Sequence, residues 1–412
     1  MTGLVVIGAS YAGIQGALSA RDAGYSEPIT IVADEEWLPY QRPPLSKDFL
    51  VDLVTEESLL LRDRVFFANK AIALVLGARA TKIDIRSRKV ALGGNSDLLF
   101  DKLLIATGSH ARRLRIPGTD LDGVRYLRTM RDAIDLKASL RDASEIVIVG
   151  GGFVGLEVAA SASKLGKRVT VLESASRLLQ RAVSPTISEF LLDMHMEHGV
   201  DVLFGETVEL IEGKDGRVSS VNCRNRTKIH ADLVLVCVGG APNDQIAKSA
   251  GLNCMNGIAV DDHGRTSQPN VFAAGDCATH YNKFAHDWIR LESVQNAQDQ
   301  AKAAGLAIAG STGPYATVPR FWSDQHDAKL QIVGISRGFD EQAIRGSIDA
   351  GKFSVFCYKK KELIAVESMN RPGDQMAARK LIAAGISPTP DQIKDPSFDL
   401  KSLLKSAGGV DV

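Results

Sequence analysis

Two short apolar runs rich in β-branched residues, LVVI (residues 4–7) and IVIV (residues 146–149), each break at a glycine turn and continue into a stretch of helical spacing. Apolar runs this short, set between turn signals, predict strands buried on both faces, as in a parallel sheet. Each helical stretch carries small residues, Ala17 and Ala20 in the first and Ala159 and Ala160 in the second, suited to a helix lying close against a sheet. Each is followed by a second apolar run that ends in an acid: ITIVAD closes at Asp34 and RVTVLE at Glu173. The chain therefore repeats one β-α-β module.

Elsewhere, residues 82–85 and 89–92 predict short strands, and KLLIATGSHAR (residues 102–112) a buried strand running into a glycine turn. ADLVLVCVGGAPN (residues 231–243) repeats that pattern, and NVFAAGDCA (residues 270–278) predicts a strand ending in Gly-Asp, with a helix following from about residue 291 to 309. GSTGP (residues 310–314) reads as a linker. Beyond it KFSVFCY and ELIAVES form a hairpin around residues 359–361, a helix follows from about residue 374 to 384, and the polar last stretch is expected to be loosely ordered. The fold class is α/β: two Rossmann-like domains, one inserted in the other, and a small C-terminal α+β domain. The expected boundaries are residues 1–117 with 245–315, residues 118–244, and residues 316–412.

Composition narrows the function. The 412 residues suffice for several apolar cores, and 49 Lys+Arg against 49 Asp+Glu leave no basic excess for nucleic acid or a membrane surface. No apolar run approaches the ~20 residues of a membrane span. The five cysteines, Cys223, Cys237, Cys254, Cys277 and Cys357, are scattered without a CxxC, which suggests reduced thiols, a cytoplasmic location and no metal centre.

In a strand-turn-helix fingerprint the first glycine permits the turn, the second admits the pyrophosphate and the third lets the helix pack on the strand. The helix N-terminus then offers N–H groups and partial positive charge to phosphate. The second copy, Gly150-x-Gly152-x-x-Gly155, is complete, whereas the first, Gly8-x-Ser10-x-x-Gly13, has serine in the middle. Asp34 and Glu173 stand where an acid takes both hydroxyls of an adenosine ribose and repels a 2′-phosphate. Two such sites fit FAD and NADH, while Arg177, four residues after Glu173, leaves NADPH as a weaker substrate. The bland alternatives are a solvated strand end for Glu173, which its spacing disfavours, and, without the motif, unrelated surface charges for Lys47 and Glu157.

GASYAG, PYQRPPLSK, LLIATGS, YLRT, GGGFVGLE, FAAGDCA, RLESVQNAQDQA and FWSDQ occur in this order over nearly the whole chain. Together they resemble the FAD-dependent ferredoxin reductases of cytochrome P450 and Rieske oxygenase systems, a family of glutathione-reductase-like architecture. The resemblance implies FAD contacts at Gly8, Ser10, Tyr11, Ala12, Gly13, Asp34, Arg42, Lys47, Ala80, Thr107, Gly108, Arg128, Gly275, Asp276, Val294 and Trp322. It implies NAD contacts at Gly150, Gly152, Phe153, Val154, Gly155, Glu157, Glu173 and Gly239. Lys47 would lie near flavin N5, paired with Glu157, which would also hold the nicotinamide carboxamide. Ser10, Arg320 and the Gly239-Gly240 pair depart from the common pattern of the family.

Disulfide reductases carry CxxxxC shortly after the first fingerprint, and residues 34–60 contain no cysteine. Electrons then leave the flavin directly, which suits a one-electron acceptor such as a [2Fe–2S] ferredoxin that feeds a P450 or Rieske oxygenase. His110, Arg112, Arg113 and Arg115 form a basic cluster that either steers an acidic ferredoxin or is a solvated loop. Two other outcomes stay open. One is reduction of a quinone, monodehydroascorbate or oxygen, and the other is a redox-sensing flavoprotein like apoptosis-inducing factor.

Overall fold

The computed structural model describes residues 2–94, 96–225 and 227–406. By compactness the chain forms two units, Met1–Gln41 with Glu56–His110 and Gly240–Pro319, and Arg42–Thr55 with Ala111–Gly239 and Arg320–Val412.

The first unit is built on a five-stranded parallel sheet in the order Val271–Ala273, Lys102–Ile105, Leu4–Ile7, Ile29–Val32, Ile72–Val75. Val6, Ile31, Leu104 and Ala273 are fully buried, as unbroken apolar strands covered on both faces require. The first fingerprint helix, Tyr11–Asp22, lies against the helix Val294–Ile308. Their approach depends on small residues: a Cβ on Gly305 would stand 2.5 Å from the Gly16 carbonyl oxygen. An antiparallel sheet of Ala80–Asp84, Lys89–Leu92 and Asp97–Leu99 adds a satellite layer, close to the expected short strands.

The second unit holds the repeated module in a parallel sheet ordered Val200–Phe204, Arg168–Glu173, Glu145–Val149, Leu233–Val236, Val124–Arg125. The second fingerprint helix is Phe153–Lys164. The same unit carries a five-stranded antiparallel sheet ordered Arg320–Gln325, Ala328–Gly334, Glu362–Met369, Lys352–Lys359, Glu341–Ser347. Its hairpin matches the expected one, and the helix Pro372–Ala384 stops at Gly385, whose φ of 67° is the left-handed cap glycine tolerates. The last stretch is more regular than its polarity suggested, forming helices Pro390–Lys394 and Leu400–Ser406; residues 407–412 lie outside the described residues. One apolar cluster, with Leu156, Ile187, Leu191, Leu330, Val355 and Ala365, joins the second fingerprint helix to the antiparallel sheet.

Candidate active site

In the first unit, Gly8 has φ 113°, and a Cβ there would stand 2.1 Å from the Ala106 carbonyl oxygen. A Cβ on Gly13 would meet the Gly8 oxygen at 1.8 Å, so both outer glycines are required by the protein's own backbone. Ser10 is the N-cap, but its side chain caps no backbone N–H, and the first turn has no acid. Tyr11 and Ala12 open the helix, which leaves its positive end available to an anionic group. Thr107 and Gly108 are held by a residue the sequence did not single out: Thr107 Oγ1 donates to the Asn243 carbonyl oxygen (2.7 Å), and Asn243 Nδ2 returns a bond to the Thr107 carbonyl oxygen (2.8 Å). Gly275 packs on Ala12, and its N–H donates to Gln300 Oε1 at 2.8 Å, while Ser109 Oγ donates to Asp276 Oδ2 at 3.1 Å. Val294 begins its helix behind the N-cap Ser293, Ala80 begins its strand, and Asp34 is exposed just beyond Ile29–Val32. The basic cluster is dispersed in role: His110 faces Asn243 Oδ1 (2.6 Å), and the Arg113 guanidinium lies 3.9 Å over the Tyr126 ring.

The second fingerprint repeats this geometry in its own unit. Gly150 has φ 112°, with a Cβ position 2.4 Å from the Cys237 carbonyl oxygen, and a Cβ on Gly155 would stand 2.2 Å from the Gly150 oxygen. Gly152 differs. Its φ of −87° and ψ of 179° suit any residue, and no atom lies within 4 Å of where its Cβ would be. Neither backbone nor packing demands glycine there, and the position stands open at the N-terminus of a helix with no side-chain cap. We predict that Gly152→Ala folds normally yet raises KM for NADH about tenfold, through lost backbone approach; steady-state kinetics with an unaltered melting temperature checks this.

Glu173 also buttresses the loop it follows, accepting from the Gly151 N–H at 2.8 Å and the Ala175 N–H at 2.7 Å. Arg177, the residue that kept a 2′-phosphate conceivable, spends its guanidinium on main-chain oxygens, those of Val183 (2.9 Å) and Gln180 (2.8 Å). Gly239 has φ 102° and its carbonyl oxygen accepts from the Arg112 N–H at 2.9 Å; a Cβ on Gly240 would meet Glu292 Oε1 at 2.6 Å. The unusual glycine pair is thus explained one residue at a time, by a left-handed backbone and by a close approach.

Within the second unit the turn Pro43–Ser46 brings Lys47 to the second fingerprint helix. Lys47 Nζ lies 2.8 Å from Glu157 Oε2, with 15% and 7% of the two side chains exposed. Ser46 Oγ donates to the same oxygen and Ser323 Oγ to Glu157 Oε1 at 2.6 Å. Ion pairs this buried persist when further hydrogen bonds satisfy both partners. Arg42 donates to the Arg128 carbonyl oxygen at 2.8 Å, so two further expected contacts stand together. Phe153 packs on Phe321 with ring centroids 4.3 Å apart and the planes tilted by 37°, next to Trp322, which is 37% exposed; Val154 is exposed at the helix start.

All five cysteines are free. Burial, helped by Glu157, pushes the Cys237 thiol up to about 12, and burial also raises those of Cys277 and Cys254. Cys277 sits fully enclosed beneath the Ile105 and Ala274 carbonyls, a small core residue. A protonated thiol is a poor nucleophile.

Residues 2–301 match the family model of pyridine nucleotide-disulphide oxidoreductases, and residues 320–404 that of the reductase C-terminal domain. The chain belongs to the pyridine nucleotide-disulphide oxidoreductase family. Within this family it is 43% identical to rhodocoxin reductase of Rhodococcus erythropolis over 401 residues, covering 97% of this chain and 94% of the relative. The ferredoxin reductase of the CYP199A2 system from Rhodopseudomonas palustris has a superimposable structure: TM-score 0.95, 41% identity, 99% of this chain and 100% of that one. The putidaredoxin reductase–putidaredoxin complex gives TM-score 0.95 at 35% identity, covering 99% of each chain. For this family member, the glycine cradles and uncapped helix ends are the observations that fit FAD and a nicotinamide dinucleotide.

Sequence reading missed Ser46, Asn243, Gln300 and Ser323, which hold the expected contacts in place. A signal existed for three of them, since Ser46, Gln300 and Ser323 lie inside PPLSK, RLESVQNAQDQA and FWSDQ.

Proposed function

We propose that this chain is an NADH-dependent ferredoxin reductase, in which FAD accepts hydride from NADH and releases single electrons to a [2Fe–2S] ferredoxin that feeds a P450 or Rieske oxygenase. The observation that carries this reading is the Lys47–Glu157 pair, set on a nucleotide-binding helix in a chain without a redox thiol pair. Gly8, Ser10, Tyr11, Ala12, Gly13, Asp34, Ala80, Thr107, Gly108, Gly275, Asp276 and Val294, and likewise Arg42, Lys47, Arg128 and Trp322, are the residues that the resemblance assigns to FAD. Gly150, Gly152, Phe153, Val154, Gly155, Glu173 and Gly239 would hold NADH. Lys47 would supply positive charge to the reduced flavin, the electrostatic help that dominates such steps. Glu157 keeps that ammonium oriented and offers an acceptor to the nicotinamide carboxamide, which aims the ring. Glu173 disfavours NADPH, and the commitment of Arg177 to carbonyl oxygens points the same way. The ferredoxin partner is supported by the names of the relatives: a ferredoxin reductase of a P450 system and a reductase captured with putidaredoxin. Reduced thiols favour the cytoplasm, and no helix among the described residues is long and apolar enough to cross a membrane.

The test is reduction of cytochrome c with NADH or NADPH, with and without a panel of [2Fe–2S] ferredoxins. Strong stimulation by one ferredoxin, with NADH preferred, is expected. Brisk NADH oxidation that ferredoxin leaves unchanged would overturn the reading in favour of a quinone, monodehydroascorbate or oxygen reductase.

A further inference from the structure

We propose that Ser323, Gln325 and His195 form a positioning chain that sets the direction in which Glu157 presents its remaining acceptor to the carboxamide of NADH, an inference that rests on the function proposed above. Ser323 and Gln325 alternate on one face of the strand Arg320–Gln325, and His195 projects from the helix Pro185–Glu197. Ser323 Oγ donates to Glu157 Oε1 (2.6 Å), Gln325 Nε2 donates to Ser323 Oγ (3.1 Å), and His195 Nε2 faces Gln325 Oε1 (3.0 Å). All three side chains are buried, Ser323 and Gln325 at 1% exposure and His195 at 0%.

The donors all run toward the carboxylate. Burial lowers the His195 pKa and keeps the ring neutral, with a single N–H. Its Nδ1 is buried without a partner, so the proton belongs on Nε2, where Gln325 Oε1 accepts it. That fixes the amide with its nitrogen toward Ser323. The hydroxyl, accepting from Gln325, has its one proton left for Glu157.

The carboxylate's own occupancy gives the chain its purpose. A carboxylate offers about four acceptor positions. Ser46 and Lys47 take those of Oε2, and Ser323 takes one on Oε1. The remaining position lies on Oε1, the oxygen that Ser323 orients. Apolar residues would fill this interior more cheaply than three polar groups, which cost free energy to bury unless each is satisfied. A role confined to packing therefore does not explain them.

The holoenzyme is compared as wild type, Ser323→Ala, His195→Phe and His195→Gln. The last keeps an amide N–H able to stand at the Nε2 position. The probes are NADH and reduced 3-acetylpyridine adenine dinucleotide, whose acetyl group cannot donate a hydrogen bond. Stopped-flow flavin reduction is measured with each, and calorimetry gives the Kd of both oxidised nucleotides and of ADP-ribose. Wild type is expected to prefer the carboxamide nucleotide. Ser323→Ala and His195→Phe are expected to lose about tenfold of that preference, the scale of one hydrogen bond to a charged group. ADP-ribose affinity and FAD content should hold, and His195→Gln should restore the preference. Wild-type preference retained in Ser323→Ala overturns the proposal, as does a wild type that never discriminated. A His195→Gln loss equal to that of His195→Phe removes His195 from the chain. If NADH fails to reduce the wild-type flavin at all, the proposed function falls first and this inference with it.

Discussion

Glu157→Gln and Lys47→Met are each expected to slow reduction of the bound flavin by NADH about a hundredfold, the usual cost of removing one preorganised electrostatic partner at a reacting centre. The pair is nearly closed to water, with 7% of the Glu157 and 15% of the Lys47 side chain exposed. Low local dielectric strengthens what the ammonium does for accumulating negative charge and penalises its loss equally. Glutamine keeps the shape at position 157 and an oxygen for Ser323 or Ser46, so the effect isolates charge rather than packing. Losing one partner of a buried pair also costs about 3–5 kcal/mol when the other stays unpaired, so melting temperatures should fall in both variants. FAD content should stay at one per chain, because other residues supply most of its proposed contacts. Stopped-flow bleaching at the wild-type rate in both variants would remove these residues from the hydride step.

Gly8→Ala is expected to yield a colourless protein. The position has φ 113°, outside the range of an L side chain, and the new methyl would sit 2.1 Å from the Ala106 carbonyl oxygen. The backbone conformation alone costs about 1–3 kcal/mol. The overlap is with backbone, not with a flexible side-chain end, so the turn after Leu4–Ile7 must move away from the turn after Lys102–Ile105. Both turns carry proposed FAD contacts, Ser10 and Ala12 on one and Thr107 and Gly108 on the other. The ratio of flavin to protein absorbance after desalting is the measurement. A variant that holds stoichiometric FAD would show the turn to be more pliable than its contacts imply.

Much of the fold was legible because buried parallel strands read as unbroken apolar runs, and LVVI and IVIV are the strands Leu4–Ile7 and, within one residue, Glu145–Val149. The apolar runs before the two acids are strands as well: Glu173 ends Arg168–Glu173, and Asp34 stands two residues beyond Ile29–Val32. Edge strands of the antiparallel sheet were harder. Arg320–Gln325 alternates buried Ser323 and Gln325 with exposed Trp322 and Asp324, a period-two pattern whose buried positions are polar. Little hydrophobic signal marks such a strand. Ser323 and Gln325 are polar where they bond Glu157 and each other, while Phe321 on the same face packs against the apolar cluster. Asn243 was hidden for another reason, since its bonds reach Thr107 across a sequence separation no local pattern records.

The five cysteines have a bearing on chemical wear. All five thiols are raised in pKa, chiefly by burial, and so held protonated. Peroxide attacks thiolates first, turning them to sulfenic acid and then to forms no reductant restores. A chain whose thiols stay protonated offers peroxide no thiolate to attack first.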